Sequence, residues 1–180
     1  MVLKTIVEIP QGSQNKYEYD AAAGRIRLDR VLSTSMHYPA NYGFIPETWA
    51  EDNDPLDVLI FGSGALFPGV VVDVRVLGVL MMTDEHGPDA KIVGVIDTDP
   101  RSRHVTSIND LGAHCLKETR HFFEQYKVLQ GLSTDVGAYH GTLEAEQLIE
   151  AARKRFQRRQ QRGHEGHADG RGVGQPSRLS

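Results

Sequence analysis

Short apolar segments with partial period-two alternation fill the first part of the chain, at residues 5–9, 16–20, 25–30, 56–61, 70–83 and 91–97. Turn residues divide them: Gly12-Ser13, Gly24, Pro68-Gly69 and Gly87-Pro88. Several short strands at this spacing, with no helical pattern between them, predict a closed or partly closed barrel. The run Tyr38-Pro39-Ala40-Asn41-Tyr42-Gly43-Phe44 reads as an aromatic turn. Further on the period becomes helical. Ser107 or Asn109 is placed to cap a helix whose apolar stripe holds Leu111, Cys115, Phe122, Phe123 and Tyr126. Thr142 is placed to cap a second helix, with Glu144 and Glu146 early and arginines late, a polarity that complements the helix dipole. Leu148, Ile149, Ala152 and Phe156 give that helix a buried face. The expected class is α+β, mainly β, with helices flanking a barrel on its C-terminal side. After Gln161 the composition collapses to Gly, His, Arg and Ser, so a domain over 1–161 and an unstructured tail over 162–180 are expected. His164 and His167 have metal-like spacing but read as part of a solvated tail.

Composition narrows the function. Hydrophobic residues make up 39%, enough for a core. The apolar runs at 70–72 and 79–82 are broken by Asp73, Arg75 and Thr83, whereas a membrane-spanning helix needs about 20 consecutive apolar residues. The N-terminus runs straight into strand-like sequence and shows no signal peptide. A single cysteine, Cys115, forms no internal disulfide and reads as a small core residue, which points to a reducing cytoplasm. The net charge of −4 is unevenly spread: residues 151–180 hold eight Lys or Arg against two acids, leaving 12 basic and 22 acidic residues in 1–150. An acidic body argues against nucleic acid as partner, because affinity for a phosphate backbone comes mainly from cationic neutralisation. The basic C-terminal helix leaves room only for a minor contact with RNA or an acidic partner. An anion would enter such a body only with recruited cations, a first pointer to metals.

The densest chemistry is Asp52-Asn53-Asp54-Pro55-Leu56-Asp57, three carboxylates just ahead of an apolar strand that anchors Asp57 at the edge of the core. Acids at this density repel unless cations or solvent offset them. A calcium EF-hand shares the Asp-x-Asp spacing, but its glycine slot holds Asp57 and its glutamate slot holds Ser63. Oxygen donors without a nearby thiolate favour magnesium, manganese or calcium over zinc or copper. A second acidic group, Asp84-Glu85-His86-Gly87-Pro88-Asp89, flanks a hairpin tip, with Lys91 on the same strand face as Asp89. His86 reads as a loop histidine. Lys16 and Glu18 share a face, Arg30 is placed either to pair with Asp29 or to meet an anion, and Tyr38, Tyr42, Tyr126 and Lys127 suit phosphate oxygens or plain packing.

Taken together, these segments resemble a family I soluble inorganic pyrophosphatase of bacterial type. The string Asp52-Asn53-Asp54-Pro55-Leu56-Asp57-Val58 is similar to that family's signature D-x-D-P-x-D-V. Glu8-Ile9-Pro10, Lys16-Tyr17-Glu18, Asp29-Arg30, Tyr38-Pro39, Asn41-Tyr42-Gly43, Asp84-Glu85, Asp89-Ala90-Lys91 and the run from His121 to Lys127 follow in family order. The resemblance implies an OB-like five-stranded β-barrel that hydrolyses pyrophosphate with magnesium, manganese or another divalent ion serving as substitute. It implies that Glu8, Glu18, Asp52, Asp57, Asp84 and Asp89 are metal ligands. Lys16, Arg30, Tyr42, Tyr126 and Lys127 would grip phosphate, with Lys91 and Tyr38 lining the site. Either Asp54 or Asp89 would accept the proton of the attacking water. Bacterial members are commonly hexamers, which implies a homo-oligomer. The segment 129–138 lacks the family's lysines and Gly-Trp pair, Ile96-Asp97 replaces its Val-Pro, and the Arg-rich helix end lies outside its pattern.

Overall fold

The computed structural model describes residues 1–168 of the 180. In chain order these form β1 (Val2–Ile9), β2 (Asn15–Asp20), β3 (Arg25–Val31), β4 (Asn41–Phe44), β5 (Asp57–Phe61), β6 (Val71–Asp84), β7 (Gly87–Pro88), β8 (Lys91–Ile96), α1 (Ala113–Gln125), β9 (Asp135–His140) and α2 (Thr142–Ala168), with short 3-10 turns between. The first half of β1 pairs antiparallel with β6 and its second half with β4. β4 pairs antiparallel with β5, β5 runs parallel to β8, and β8 returns antiparallel to β6. The strands β1, β4, β5, β8 and β6 therefore close into a ring. β2 and β3 form a separate hairpin, and β9 extends the sheet beside the second half of β6. The protein is mainly β with few helices, as the pattern predicted.

Strand alternation divides the buried residues into two cores. Val58 and Ile60 of β5, with Ile92 of β8, join Ala145, Ile149 and Ala152 of α2. Leu59 of β5, with Val93 and Val95 of β8, joins Phe122, Phe123 and Tyr126 of α1. Both faces of these strands are thus covered, which is why they read as unbroken apolar runs.

Three elements differ from the sequence reading. The last four residues of the segment expected to be an aromatic turn, Asn41–Phe44, form strand β4, while 38–40 stay outside any strand; all four strand residues are buried, and four are too few to display a period. Part of the divergent segment after 129 is β9, whose Gly137 and Ala138 show no apolar alternation. Helix α1 starts behind Gly112 rather than at Ser107 or Asn109, which instead belong to a 3-10 turn (Ile108–Leu111) capped at Ser107. There the Asp110 carboxylate accepts the Ser107 N–H at 2.8 Å. Cys115 is on α1 as expected but only half-buried. α2 continues through residues 162–168, the start of the segment expected to be unstructured; residues 169–180 lie outside those described. Among the described residues no helix is long and apolar enough to cross a membrane.

Gly43 shows how tightly the ring closes. A Cβ there would stand 2.0 Å from the Ile6 carbonyl oxygen, so β1 and β4 approach closely only because position 43 has no side chain. Gly43→Ala should therefore destabilise the fold by about 1–3 kcal/mol, the usual cost of overpacking, read as a lower denaturation midpoint at unchanged slope.

Candidate active site

A cavity of about 820 Å³ lies where the ring, the β2–β3 hairpin and the end of α1 meet. Every site residue expected from the sequence lines it. Glu8 comes from β1, Lys16 and Glu18 from β2, Arg30 from β3, and Tyr42 from β4, with Tyr38 just ahead of it. Asp52 and Asp54 lie on the β4–β5 loop, and Asp57 is the first residue of β5. Asp84 ends β6, while Asp89 and Lys91 sit where β8 begins. Tyr126 and Lys127 follow the last turn of α1. Strand ends are good mounts for such groups, because the ladder fixes the backbone while the side chain faces the opening.

Lysines are threaded between the acids. Lys91, almost fully buried, donates to Asp57 Oδ2 at 2.5 Å and also to Asp89 Oδ1. Lys127 donates to Asp84 Oδ2 at 2.8 Å and to Glu85 Oε1 at 2.9 Å. The Tyr42 hydroxyl donates to Asp57 Oδ2 at 2.5 Å. On the hairpin wall Lys16 pairs with Glu18 at 2.8 Å and with Asp29 at 3.4 Å, and Arg30 donates to Asp29 at 2.8 Å. Arg30 Nε is buried with no partner among the described residues, a donor available to an incoming anion. Phe122 stacks on Tyr126 with ring centroids 5.2 Å apart and meets Tyr38 at 4.8 Å, so α1 holds both phenols at the cavity wall.

Cations do not balance this cavity. Ten carboxylates line it against five lysine and arginine side chains. Burial pushes the Glu8 carboxyl up to about 7, despite the Tyr19 N–H it accepts. Burial also raises Asp89 to about 6, Lys91 offsetting part of the rise and Asp57 adding to it. Asp52 and Asp54 are raised by burial first and then by neighbouring carboxylates, Asp57 foremost. Asp84 goes the other way: burial would raise it, but the Lys127 hydrogen bond and the His86 N–H hold it below the ordinary range. Burial would discharge Lys91, yet Asp57 and Asp89 keep it firmly protonated. Burial, then Asp57, holds the Tyr42 phenol far above its usual value, so it remains a donor.

The donor set suits a hard divalent cation. It is all oxygen, and carboxylates raised by burial and mutual repulsion have fewer positive neighbours than charges. The six expected ligands face one cavity without being drawn into one coordination cluster: among the described residues no group of three or more His, Cys, Asp or Glu side chains converges tightly enough to hold an ion. Lys91 and Lys127 occupy the gaps between the acids, which accounts for their spread. Two residues without an assigned role in the sequence reading also take part. Asp29 bridges Lys16 and Arg30, and Glu85 shares Lys127 with Asp84. Asp29 carried a signal in its position beside Arg30; Glu85 carried none beyond its neighbour. His86 is exposed at the tip, as expected.

Acidic groups facing lysine, arginine and phenol donors across one opening define an enzyme class that handles phosphate oxygens with the help of cations. The comparisons agree. The inorganic pyrophosphatase family profile matches residues 5–157. Inorganic pyrophosphatase from Geobacillus stearothermophilus is 48% identical over 155 residues, covering 86% of this chain and 94% of the relative. The crystal structure of inorganic pyrophosphatase from Thermus thermophilus superposes with a TM-score of 0.84 at 45% identity, covering 87% of this chain and 91% of that one. That of the Helicobacter pylori inorganic pyrophosphatase has a TM-score of 0.84 at 39% identity, covering 87% and 94%. The chain belongs to the inorganic pyrophosphatase family.

A carboxyl held above its unfolded value favours the protonated fold. For Glu8 that contribution is complete below about 4.5 and is lost as pH rises through about 7. In chelator-treated protein, Glu8→Gln should therefore flatten the decline in stability between pH 5 and pH 8, measured by denaturant unfolding.

Proposed function

We propose that the chain hydrolyses inorganic pyrophosphate, one water and one phosphoanhydride bond giving two orthophosphates. The observation that carries this is the facing of Asp52, Asp54, Asp57 and Asp89 by Lys16, Arg30, Tyr42 and Tyr126 across one cavity. Family membership supports the reaction, and the cavity lining supports the roles that follow. Glu8, Glu18, Asp52, Asp57, Asp84 and Asp89 would hold divalent cations, magnesium or manganese in its place. When bound, the cation supplies Lewis acidity toward water and offsets the charge of substrate and carboxylates. The closed ring is read as an OB-like barrel that keeps these ligands in register.

The chain's own residues do the rest. Arg30, whose Nε has no partner among the described residues, and Lys16 hold phosphate oxygens and stabilise charge on the leaving phosphate. The Tyr42 hydroxyl, fixed as a donor, orients Asp57, and Lys91 holds Asp57 and Asp89 apart at a set spacing. Asp54 accepts the proton of the attacking water. It lines the cavity, and partial burial and then Asp57 raise its carboxyl above the ordinary range, whereas Asp89 is buried and held by Lys91. Lys127 and Tyr126 close the opposite side, where release of Lys127 from Asp84 and Glu85 would free it for phosphate.

Phosphate release from pyrophosphate should be strong with magnesium and absent with a chelator. Asp57→Asn should remove turnover while leaving the fold intact by circular dichroism. Asp54→Asn should lower kcat by about 10²–10⁴-fold, the usual contribution of a general base, with cation binding by titration calorimetry largely kept. Full activity in Asp57→Asn would contradict the assignment.

A further inference from the structure

The loop that carries Asp52 and Asp54 has little to hold it from within. Between β4 and β5 the chain includes two non-glycine residues at positive φ, Glu47 at 59° and Asn53 at 73°. Its acids repel one another across a small space. Within the loop, the Ala50 N–H donates to the Asp54 carbonyl at 2.7 Å and the Asp54 N–H donates to Asp52 Oδ1 at 3.1 Å. Thr48 pins its base, donating to the Ile45 carbonyl at 2.5 Å and accepting the Leu56 N–H at 2.9 Å.

The remaining ties come from α2. The Trp49 N–H donates to the Ala152 carbonyl at 3.0 Å. Arg155 Nε donates to the Trp49 carbonyl at 2.8 Å, and its Nη1 lies 3.4 Å from Glu51. The Arg159 guanidinium lies 3.8 Å from the centre of the Trp49 ring, a cation–π contact. Residues 152, 155, 156 and 159 follow helical spacing along one stripe, and Phe156 of that stripe lines the cavity together with Trp49. The helix is itself anchored, since Ala145, Ile149 and Ala152 are fully buried in the core. Arg155 and Arg159 of the basic helix end thus touch Trp49 of the loop; Arg155 is half-buried, and Arg159, like Arg153 and Arg158, is exposed.

We infer that Arg155 and Arg159 are positioning residues for hydrolysis: they fasten Trp49 to α2 and thereby hold Asp52 and Asp54 at the cavity wall. This rests on the reading of the cavity as the pyrophosphate site. The phosphate-facing Lys16, Arg30 and Tyr42 are mounted on other strands, so loosening the loop disturbs the attack geometry and leaves substrate capture alone. Loss of the clamp therefore acts on kcat rather than on KM.

Trp49 is the chain's single tryptophan, so its emission reports the clamp directly. The test measures magnesium-dependent pyrophosphate hydrolysis and acrylamide quenching of Trp49 in the full chain, its Arg155→Ala/Arg159→Ala variant, and an Arg153→Ala/Arg158→Ala control. The clamp variant should lose about 10- to 100-fold in kcat with KM little changed, and its Trp49 should be quenched more readily. The control should match the wild type in both. Trp49→Phe should regain most of the rate lost in Trp49→Ala, since it restores an aromatic face for Arg159. Wild-type kcat and quenching in the clamp variant would overturn the inference. So would an equal loss in the control, or a fall in melting temperature with unchanged quenching. Absence of phosphate release by the wild type would overturn the reading of the cavity, and the positioning role with it; quenching would then report only whether the arginines hold Trp49.

Discussion

Carboxylates crowded into a half-buried space are the constraint from which the rest of the molecule follows. Desolvation alone moves Glu8 and Asp89 toward neutrality, and mutual repulsion adds to it. The fold answers with two buried ammonium groups, Lys91 between Asp57 and Asp89 and Lys127 between Asp84 and Glu85. Removing one member of such a buried set leaves an uncompensated charge, a loss of about 3–5 kcal/mol. The lysines hold the acids apart without cancelling them, and the residual negative charge is what a divalent cation would complete.

The ring of strands makes this arrangement affordable in structural terms. Each acid or its partner sits at a strand end or a short connection, so its backbone is fixed by a ladder of hydrogen bonds rather than by the charges themselves. The β4–β5 loop is the exception, a stretch tied down by Thr48 at its base and by α2 at Trp49. The two helices therefore serve the site differently. α1 brings aromatic rings and Lys127 to one wall, whereas α2 steadies the loop on the other.

Much of the site was legible in the sequence because its chemistry is local. Asp52, Asp54 and Asp57 fall within six residues, and Lys16 with Glu18, or Asp89 with Lys91, share a face through period-two spacing. What stayed hidden was non-local. Strand β4 is short and buried throughout, so it shows no alternation, and β9 owes its conformation to pairing with β6. The ring itself depends on β1 dividing its pairing between two strands, which no periodicity reveals. Trp49 and Arg155 are separated by 106 positions, and in the sequence the arginine run reads only as a complement to the helix dipole with room for a minor acidic contact; its meeting with the loop depends on the fold.

The most direct measurement is calorimetric titration of magnesium into chelator-stripped protein near pH 6.5, repeated in two buffers of different ionisation enthalpy. If crowded acids are completed by cations, binding should be accompanied by proton release, because Glu8, pushed up to about 7, is largely protonated there until a cation displaces its proton, and Asp89, raised to about 6, adds a smaller share. Saturable binding with heats that depend on the buffer is the expected result. No binding, or binding with no protons released, would contradict it.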